Sequence, residues 1–214
     1  MTRAAVEFEA ADGTVLRGCV QGTGPRWAIL VHDAGRDLDA FAPLSAYLAQ
    51  SFTALAFDLR GHGLSDGEDD AAAAHLDLEG AVAYARTQSA LECHAVGVGT
   101  GAAAIVRAGT GLRLASHVLV GCPSVIPGAE AEGREAIRRL RAAKLMLVGW
   151  LDRDRLEDTR RLVERAIGPT LLVGFPTGQR GHELLNGEYL SQALSHTRGF
   201  LAQHRSMLPE SVAP

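Results

Sequence analysis

Apolar positions along this chain follow two rhythms. Short runs that are apolar at nearly every position occur at Trp27–Val31, Thr53–Phe57, His94–Val98, His117–Val120, Leu145–Val148 and Thr170–Val173. Runs of that length without alternation are expected of strands buried on both faces. Between them the spacing changes to helical. Leu44, Tyr47 and Leu48 share one face, as do Leu78, Val82 and Ala85. Ala102 to Arg107 predicts a further helix, Leu162 and Ala166 another, and Leu190, Leu194, Thr197 and Leu201 fall at i, i+4, i+7 and i+11 of a last one. Ahead of all of these, Val6–Glu9 and Val15–Val20 flank Asp12-Gly13, which predicts a β-hairpin.

A hairpin followed by strand–helix alternation predicts an α/β fold with a mostly parallel central sheet and helices on both faces. No composition shift or repeat divides the chain, so residues 1–205 are expected to form a single domain with 206–214 as a C-terminal tail. Between Cys122 and Lys144 there is room, at about twenty residues, for a loop and one helix. That helix, Ala131 to Ala143, carries only Ile137 and Leu140 as large apolar residues. A separate cap domain does not fit, and the site is expected to be open or covered by this helix alone.

Composition narrows the partners. The 214 residues are 47% hydrophobic, with a net charge of −4. This balance argues against a nucleic-acid surface and a polybasic membrane patch. The acidic cluster Asp66-Gly67-Glu68-Asp69-Asp70 reads as a solvated loop. Three cysteines, Cys19, Cys93 and Cys122, have no metal-ligand spacing and suit small buried hydrophobes in a reducing compartment. With no apolar leader at Met1–Gly13 and no spanning run, a soluble cytoplasmic protein without metal or cofactor is expected.

Four motifs carry chemistry, in order. Val31-His32-Asp33-Ala34-Gly35 follows a strand; Phe57-Asp58-Leu59-Arg60-Gly61-His62-Gly63-Leu64-Ser65-Asp66 follows another; Gly97-Val98-Gly99-Thr100-Gly101 joins a strand to a helix; Gly149-Trp150-Leu151-Asp152 and Gly181-His182 lie near the C-terminus. Together they resemble the α/β-hydrolase superfamily over Gly13 to about Gln203. The first is similar to its H-G-x-G oxyanion turn, the second to its D-x-R-G-x-G-x-S segment, the third to its G-x-S-x-G nucleophile elbow, and the last pair to its acid and base. The resemblance implies that His182 is the base, that Asp152 orients it, and that the backbone N–H groups of Ala34 and Thr100 form the oxyanion hole. His32, Asp33, Cys122 and Ser124 are candidates to line the pocket.

Two positions depart from the pattern. The nucleophile position holds Gly99, and Asp33 stands where the superfamily usually has glycine. Glycine adopts positive φ at almost no steric cost, so the elbow's geometry is expected to outlive its chemistry. A serine-free elbow of this kind is similar to that of the N-myc downstream-regulated family, regarded as non-hydrolytic. A carboxylate at 33 opposes charge developing in an oxyanion hole unless it points away. Thr100 and Cys122 are poor substitutes for the nucleophile, Thr100 because it falls one position late. The glycine run is not a dinucleotide motif, since Ala102 occupies the last glycine position.

Three readings follow. The first is a non-hydrolytic small-molecule enzyme in which His182 and Asp152 act as a general-base dyad on an apolar or carbonyl-containing ligand. The second is a catalytically inactive binding or assembly module, as a homo-oligomer or paired with an active relative. The third is an esterase- or thioesterase-type hydrolase using water or an atypical nucleophile, or a Ser→Gly variant of one. Arg134, Arg138 and Arg141 on the expected cover helix read first as a solvated face and second as an attraction for an anionic ligand.

Overall fold

The computed structural model describes residues 3–109, 111–130 and 133–204. Eight strands form one sheet: β1 (Arg3–Glu9), β2 (Val15–Gln21), β3 (Arg26–Val31), β4 (Thr53–Phe57), β5 (Glu92–Val98), β6 (Ser116–Val120), β7 (Ala143–Gly149) and β8 (Thr170–Phe175). Their order is β1-β2-β4-β3-β5-β6-β7-β8. The hairpin is antiparallel, with Glu9 opposite Val15, and β2 runs antiparallel to β4. Every later pairing is parallel. The α/β-hydrolase fold expected from the sequence is therefore the fold observed.

Alternating residues of the central strands feed two cores. Ile29, Val31, Leu55 and Phe57 face one side, against α2 (Ala74–Thr87), α3 (Thr100–Ala108) and Leu162 of α4 (Arg153–Val163). Ala28, Leu30, Ala54 and Ala56 face the other, against α1 (Ala42–Leu48) and α5 (Leu190–Gln203). Both sides of β3 to β7 are covered, so these strands carry no exposed face, which is why their sequence shows runs rather than alternation.

The chain leaves β3 toward β4 on one side, then returns to place β5 on the other side of β3. The loops after β3 and β5 diverge, and a crevice opens at the carboxyl ends of these strands. Asp33 and Gly99 lie just beyond those two ends. The Asp58–Asp66 segment braces this region. Asp58 accepts the N–H groups of Leu38 (2.8 Å) and Leu64 (3.0 Å). Arg60 donates to Asp77 of α2 through Nε (2.9 Å) and Nη2 (2.7 Å), and to Asp12 of the hairpin turn (2.7 Å).

The segment expected as a cover helix differs. Ala131 and Glu132 lie outside the described residues, Gly133–Arg139 forms a 3-10 segment, and Ala143 already begins β7. Ile137 and Leu140 are buried with Ile105, Val106 and Leu162, so the segment packs beside α3 and α4 instead of roofing the site. Two large apolar residues are too few for a stripe on both a sheet and a pocket, and the core takes them. Arg138 pairs with Glu135 at an exposed position, and Arg141 lines a small cleft with Arg113 and His117. The side chain of Arg134 and the tail from 206 lie outside the described residues. Among the described residues, no helix is long and apolar enough to cross a membrane.

Lys144 holds the far end of the sheet together. It is fully buried, and its Nζ donates to the carbonyls of Leu140 (2.6 Å), Ala142 (2.8 Å) and Ile167 (2.7 Å). Lys144→Met keeps the stem and leaves three carbonyls without this donor. Unfolding in urea is expected to show a loss of about 2–4 kcal/mol. A change under about 0.5 kcal/mol, the usual range for a neutral surface site, would contradict this role.

Candidate active site

The turn from β5 into α3 is a single residue. β5 ends at Val98, α3 starts at Thr100, and Gly99 between them has φ +50° and ψ −110°. That conformation strains any residue with a side chain. Gly101 lets α3 approach β3, because a Cβ there would overlap the Val31 carbonyl oxygen.

Asp33 fills the space the elbow leaves. Its Oδ1 accepts the backbone N–H of Ala34 (2.9 Å) and of Thr100 (2.8 Å). These are the two donors expected to hold a substrate oxyanion. A Cβ added at Gly99 would overlap both carboxylate oxygens and Cγ of Asp33. The carboxylate therefore points into the hole, as an internal ligand at the N-terminus of α3. Oδ2 makes no hydrogen bond among the described residues, and Asp33 is only half-buried. The two departures from the motif are thus one arrangement: the aspartate fits because the elbow residue is glycine.

His182 sits in the 3-10 segment Gly181–Leu185 and is buried. Its ring lies edge-on to Phe41, with centroids 4.7 Å apart. Nε2 accepts the backbone N–H of Asp33 at 3.3 Å, a long bond. The acceptor role assigns the proton of the neutral ring to Nδ1. Among the described residues the buried Nδ1 has no hydrogen-bond partner, and the Ala40 backbone favours the charged ring slightly. Burial first, then the neighbouring His32, pushes the His182 pKa down to about 4, against the pull of Asp33. The imidazole is neutral at pH 7.

Asp152 lies at the N-cap of α4, where it accepts the Arg155 N–H at 3.4 Å. Among the described residues, no hydrogen bond runs from the His182 ring to Asp152. Arg180, two residues before His182, takes the carboxylate in a two-pronged pair, Nε to Oδ2 at 2.7 Å and Nη2 to Oδ1 at 2.5 Å. A planar guanidinium matches both oxygens at once, which a single imidazole N–H does not. Glu183 closes the turn by accepting the Arg180 N–H at 3.0 Å. The structure thus brings His182, Asp33, Ala34, Thr100 and Gly99 together and ties Asp152 elsewhere.

The remaining candidates have structural partners. His32 donates from Nδ1 to its neighbour's carbonyl at Asp33 (2.8 Å) and accepts the Leu59 N–H at Nε2 (2.9 Å). His62 likewise joins the Arg60 carbonyl (2.9 Å) to the Gly35 N–H (3.1 Å). Cys122 is buried, and burial raises its thiol pKa far above the usual range, which leaves it inert as a nucleophile. Ser124 donates to Asp158 at 2.5 Å. Beside His182, a cleft of about 240 Å³ is lined by Arg36, Ala40, Glu183 and Asn186. Exposed Val125, Trp150 and Leu151 follow β6 and β7 at the same carboxyl end of the sheet. Among the described residues, no group of three or more His, Cys, Asp or Glu is placed to hold a metal.

Residues 28–208 match the model of the alpha/beta hydrolase family. The chain belongs to that family. Among solved structures, this alpha/beta hydrolase is similar to the esterase Pf2001 of Pyrococcus furiosus, with a TM-score of 0.81 at 18% identity over 95% of this chain and 93% of that one. It is also similar to the alpha/beta hydrolase GrgF from Penicillium sp. sh18 (TM-score 0.79, 19% identity, 95% and 99% covered). The enol-lactonase from Burkholderia xenovorans LB400 follows (TM-score 0.74, 18% identity, 92% and 100% covered). At these identities the likeness is one of fold. No curated protein sequence matches this alpha/beta hydrolase significantly.

Asp33 and Arg180 are the residues of this region whose contacts were not read from the sequence. The signals were an acidic residue at the oxyanion turn and an arginine immediately ahead of the Gly181-His182 pair. Neither carries a direction until the fold supplies one.

Proposed function

We propose that this alpha/beta hydrolase is a small-molecule enzyme that does not perform serine acyl transfer, with Asp33 and His182 as its working groups. One observation carries the reading: the Asp33 carboxylate occupies both the oxyanion-hole donors and the space over Gly99. Acyl transfer needs a nucleophilic oxygen at the elbow and an empty hole beside it. This site has neither. What it offers is a carboxylate with one oxygen unpartnered among the described residues and a neutral imidazole next to it. With its pKa pushed down to about 4, His182 is available as a base at pH 7 but weak, which suits an activated water or an already acidic proton.

A second reading, a binding module working as a homo-oligomer or beside an active relative, is favoured by the pairing of Asp152 with Arg180. That pairing removes the partner that would hold an imidazolium.

The unmodified protein is expected to leave p-nitrophenyl acetate at the rate of a heat-denatured control and to resist labelling by a fluorophosphonate. Ester turnover that His182→Ala abolishes would overturn the proposal in favour of an esterase. Ligand binding or partner pairing unchanged by both Asp33→Asn and His182→Ala, with no small-molecule turnover, would favour the binding module.

A further inference from the structure

We infer that the cleft at the amino ends of β6 and β7 binds phosphate, either as the free ion or as the head of a small phosphomonoester. This cleft lies at the opposite end of the sheet from Asp33 and His182, and its role is independent of the chemistry there.

Three segments of chain meet at the cleft. α3 ends beside Gly109, Arg113 and Leu114 lead into β6, and Leu140 and Arg141 lead toward β7. Together with His117, the second residue of β6, they line a space of about 170 Å³. Sites for drug-sized ligands run to about 300–1,000 Å³, so the occupant here is small.

Charge selects its class. Arg113 and Arg141 are exposed, and among the described residues neither guanidinium has a hydrogen bond or ion pair. Neighbouring arginines are engaged: Arg86 donates to the Leu112 carbonyl, and Arg138 pairs with Glu135. No carboxylate is among the described residues that line the cleft. The two guanidiniums therefore repel each other across it unless an anion lies between them. Lys144, opposite His117 in the sheet register, adds a buried positive charge behind the cleft wall.

His117 supplies the second, independent observation. It lines the cleft, is 3% exposed, and its buried Nδ1 has no hydrogen-bond partner among the described residues. Buried polar atoms are nearly always paired. Burial first, then Lys144, holds its pKa down to about 3, so the ring is neutral at pH 7. A neutral imidazole carries one N–H and can place it on Nδ1. A ligand oxygen is the acceptor that nitrogen lacks.

Phosphate matches this donor set. Its charge of about −1.5 to −2 at pH 7 answers two guanidiniums, and its oxygens serve both planar forks and a third N–H. A monocarboxylate would leave one arginine without a counter-charge. The carbonyl end of α3 opposes an anion with only about half a charge, less than the two it faces. Leu114 and Leu140 offer an apolar wall to the short carbon chain of a phosphomonoester.

The test titrates the full chain with inorganic phosphate, glycerol 3-phosphate or acetate at a constant ionic strength of about 0.15 M. Histidine ring NMR signals and urea midpoints are followed, and His117→Phe identifies the His117 signal. That signal is expected to shift saturably, with half-saturation below about 1 mM for at least one phosphate. The urea midpoint should rise with the same saturation. Tighter binding of glycerol 3-phosphate identifies a phosphomonoester as the source, and equal or tighter binding of inorganic phosphate identifies the free ion. Arg113→Asn, chosen because asparagine tolerates the φ of +49° at residue 113, should weaken binding about 10-fold or more, as should Arg141→Gln. Both replace exposed side chains, so the fold is expected to survive them. Arg138→Gln, outside the cleft, should bind like the unmodified protein. A His117 signal that stays fixed, acetate binding as tight as either phosphate, or undiminished binding by both cleft variants would overturn the inference. So would a midpoint that climbs without saturating and equally in every variant, the signature of a general salt effect.

Discussion

Gly99→Ser alone is expected to give a destabilised and inactive protein, whereas Gly99→Ser combined with Asp33→Gly is expected to hydrolyse p-nitrophenyl acetate. The single change places a side chain at φ +50° and drives its Cβ into the Asp33 carboxylate. Backbone strain of this kind amounts to about 1–3 kcal/mol, and the overlap adds to it. Oδ1 would still fill the hole, so a serine would attack without help for its oxyanion. Removing the aspartate side chain frees the Ala34 and Thr100 N–H groups together with the space over residue 99. Loss of a single oxyanion donor slows comparable sites about 10²–10³-fold, so the double variant should exceed either single one by at least about 10²-fold. Adding Arg180→Leu releases Asp152 toward His182 and should raise the rate again, since a correctly held base matters most once a serine must be deprotonated. Initial rates against urea midpoints across this series decide it. A Gly99→Ser protein as active as the double variant would show that Asp33 swings clear and blocks nothing.

Stability is expected to fall steeply as pH drops from about 6.5 toward 4. His182, His94 and His117 are buried, and burial pushes their pKa values down to about 4, about 4 and about 3. His32 is lowered for the same reason. In the unfolded chain each returns to the ordinary histidine value near 6.5. The unfolded state therefore binds more protons throughout this window, and stability rises with pH across it. The contribution is complete above about 6.5 and is lost as the pH falls toward the folded values. Three such groups together give a slope of up to about 4 kcal/mol per pH unit near pH 5. Urea midpoints at several pH values between about 5 and 7.5 measure it. His117→Phe should flatten the curve by about one third of that slope. A midpoint that does not move over this range would mean that these rings are charged or solvated in the folded state.

The parts of this molecule that depend on local pattern were legible in the sequence. Runs such as Trp27–Val31 predict doubly buried strands, and the sheet places them between two helix layers. Gly97, Gly99 and Gly101 predict a tight strand-to-helix turn, and Gly99 has the positive φ of such a turn. The parts that depend on choice between partners were not legible. Asp152 can serve His182 or Arg180, and the geometry of two side chains brought together across β7 and β8 decides for Arg180. Asp33 can point out to solvent or inward, and only the empty space at residue 99 makes inward available. The expected helix from Ala131 failed for a related reason: β7 claims Ala143, and what precedes it is short enough for a 3-10 segment.

The interlock of Asp33 with Gly99 also makes the two positions depend on each other. A carboxylate at 33 cannot occupy the hole while position 99 carries a side chain, because the two claim the same volume. The inward position of the carboxylate therefore requires glycine at 99, and any residue with a Cβ there has to displace it. The two positions act as one unit, and a change at either alters the space and the hydrogen bonds available at the other.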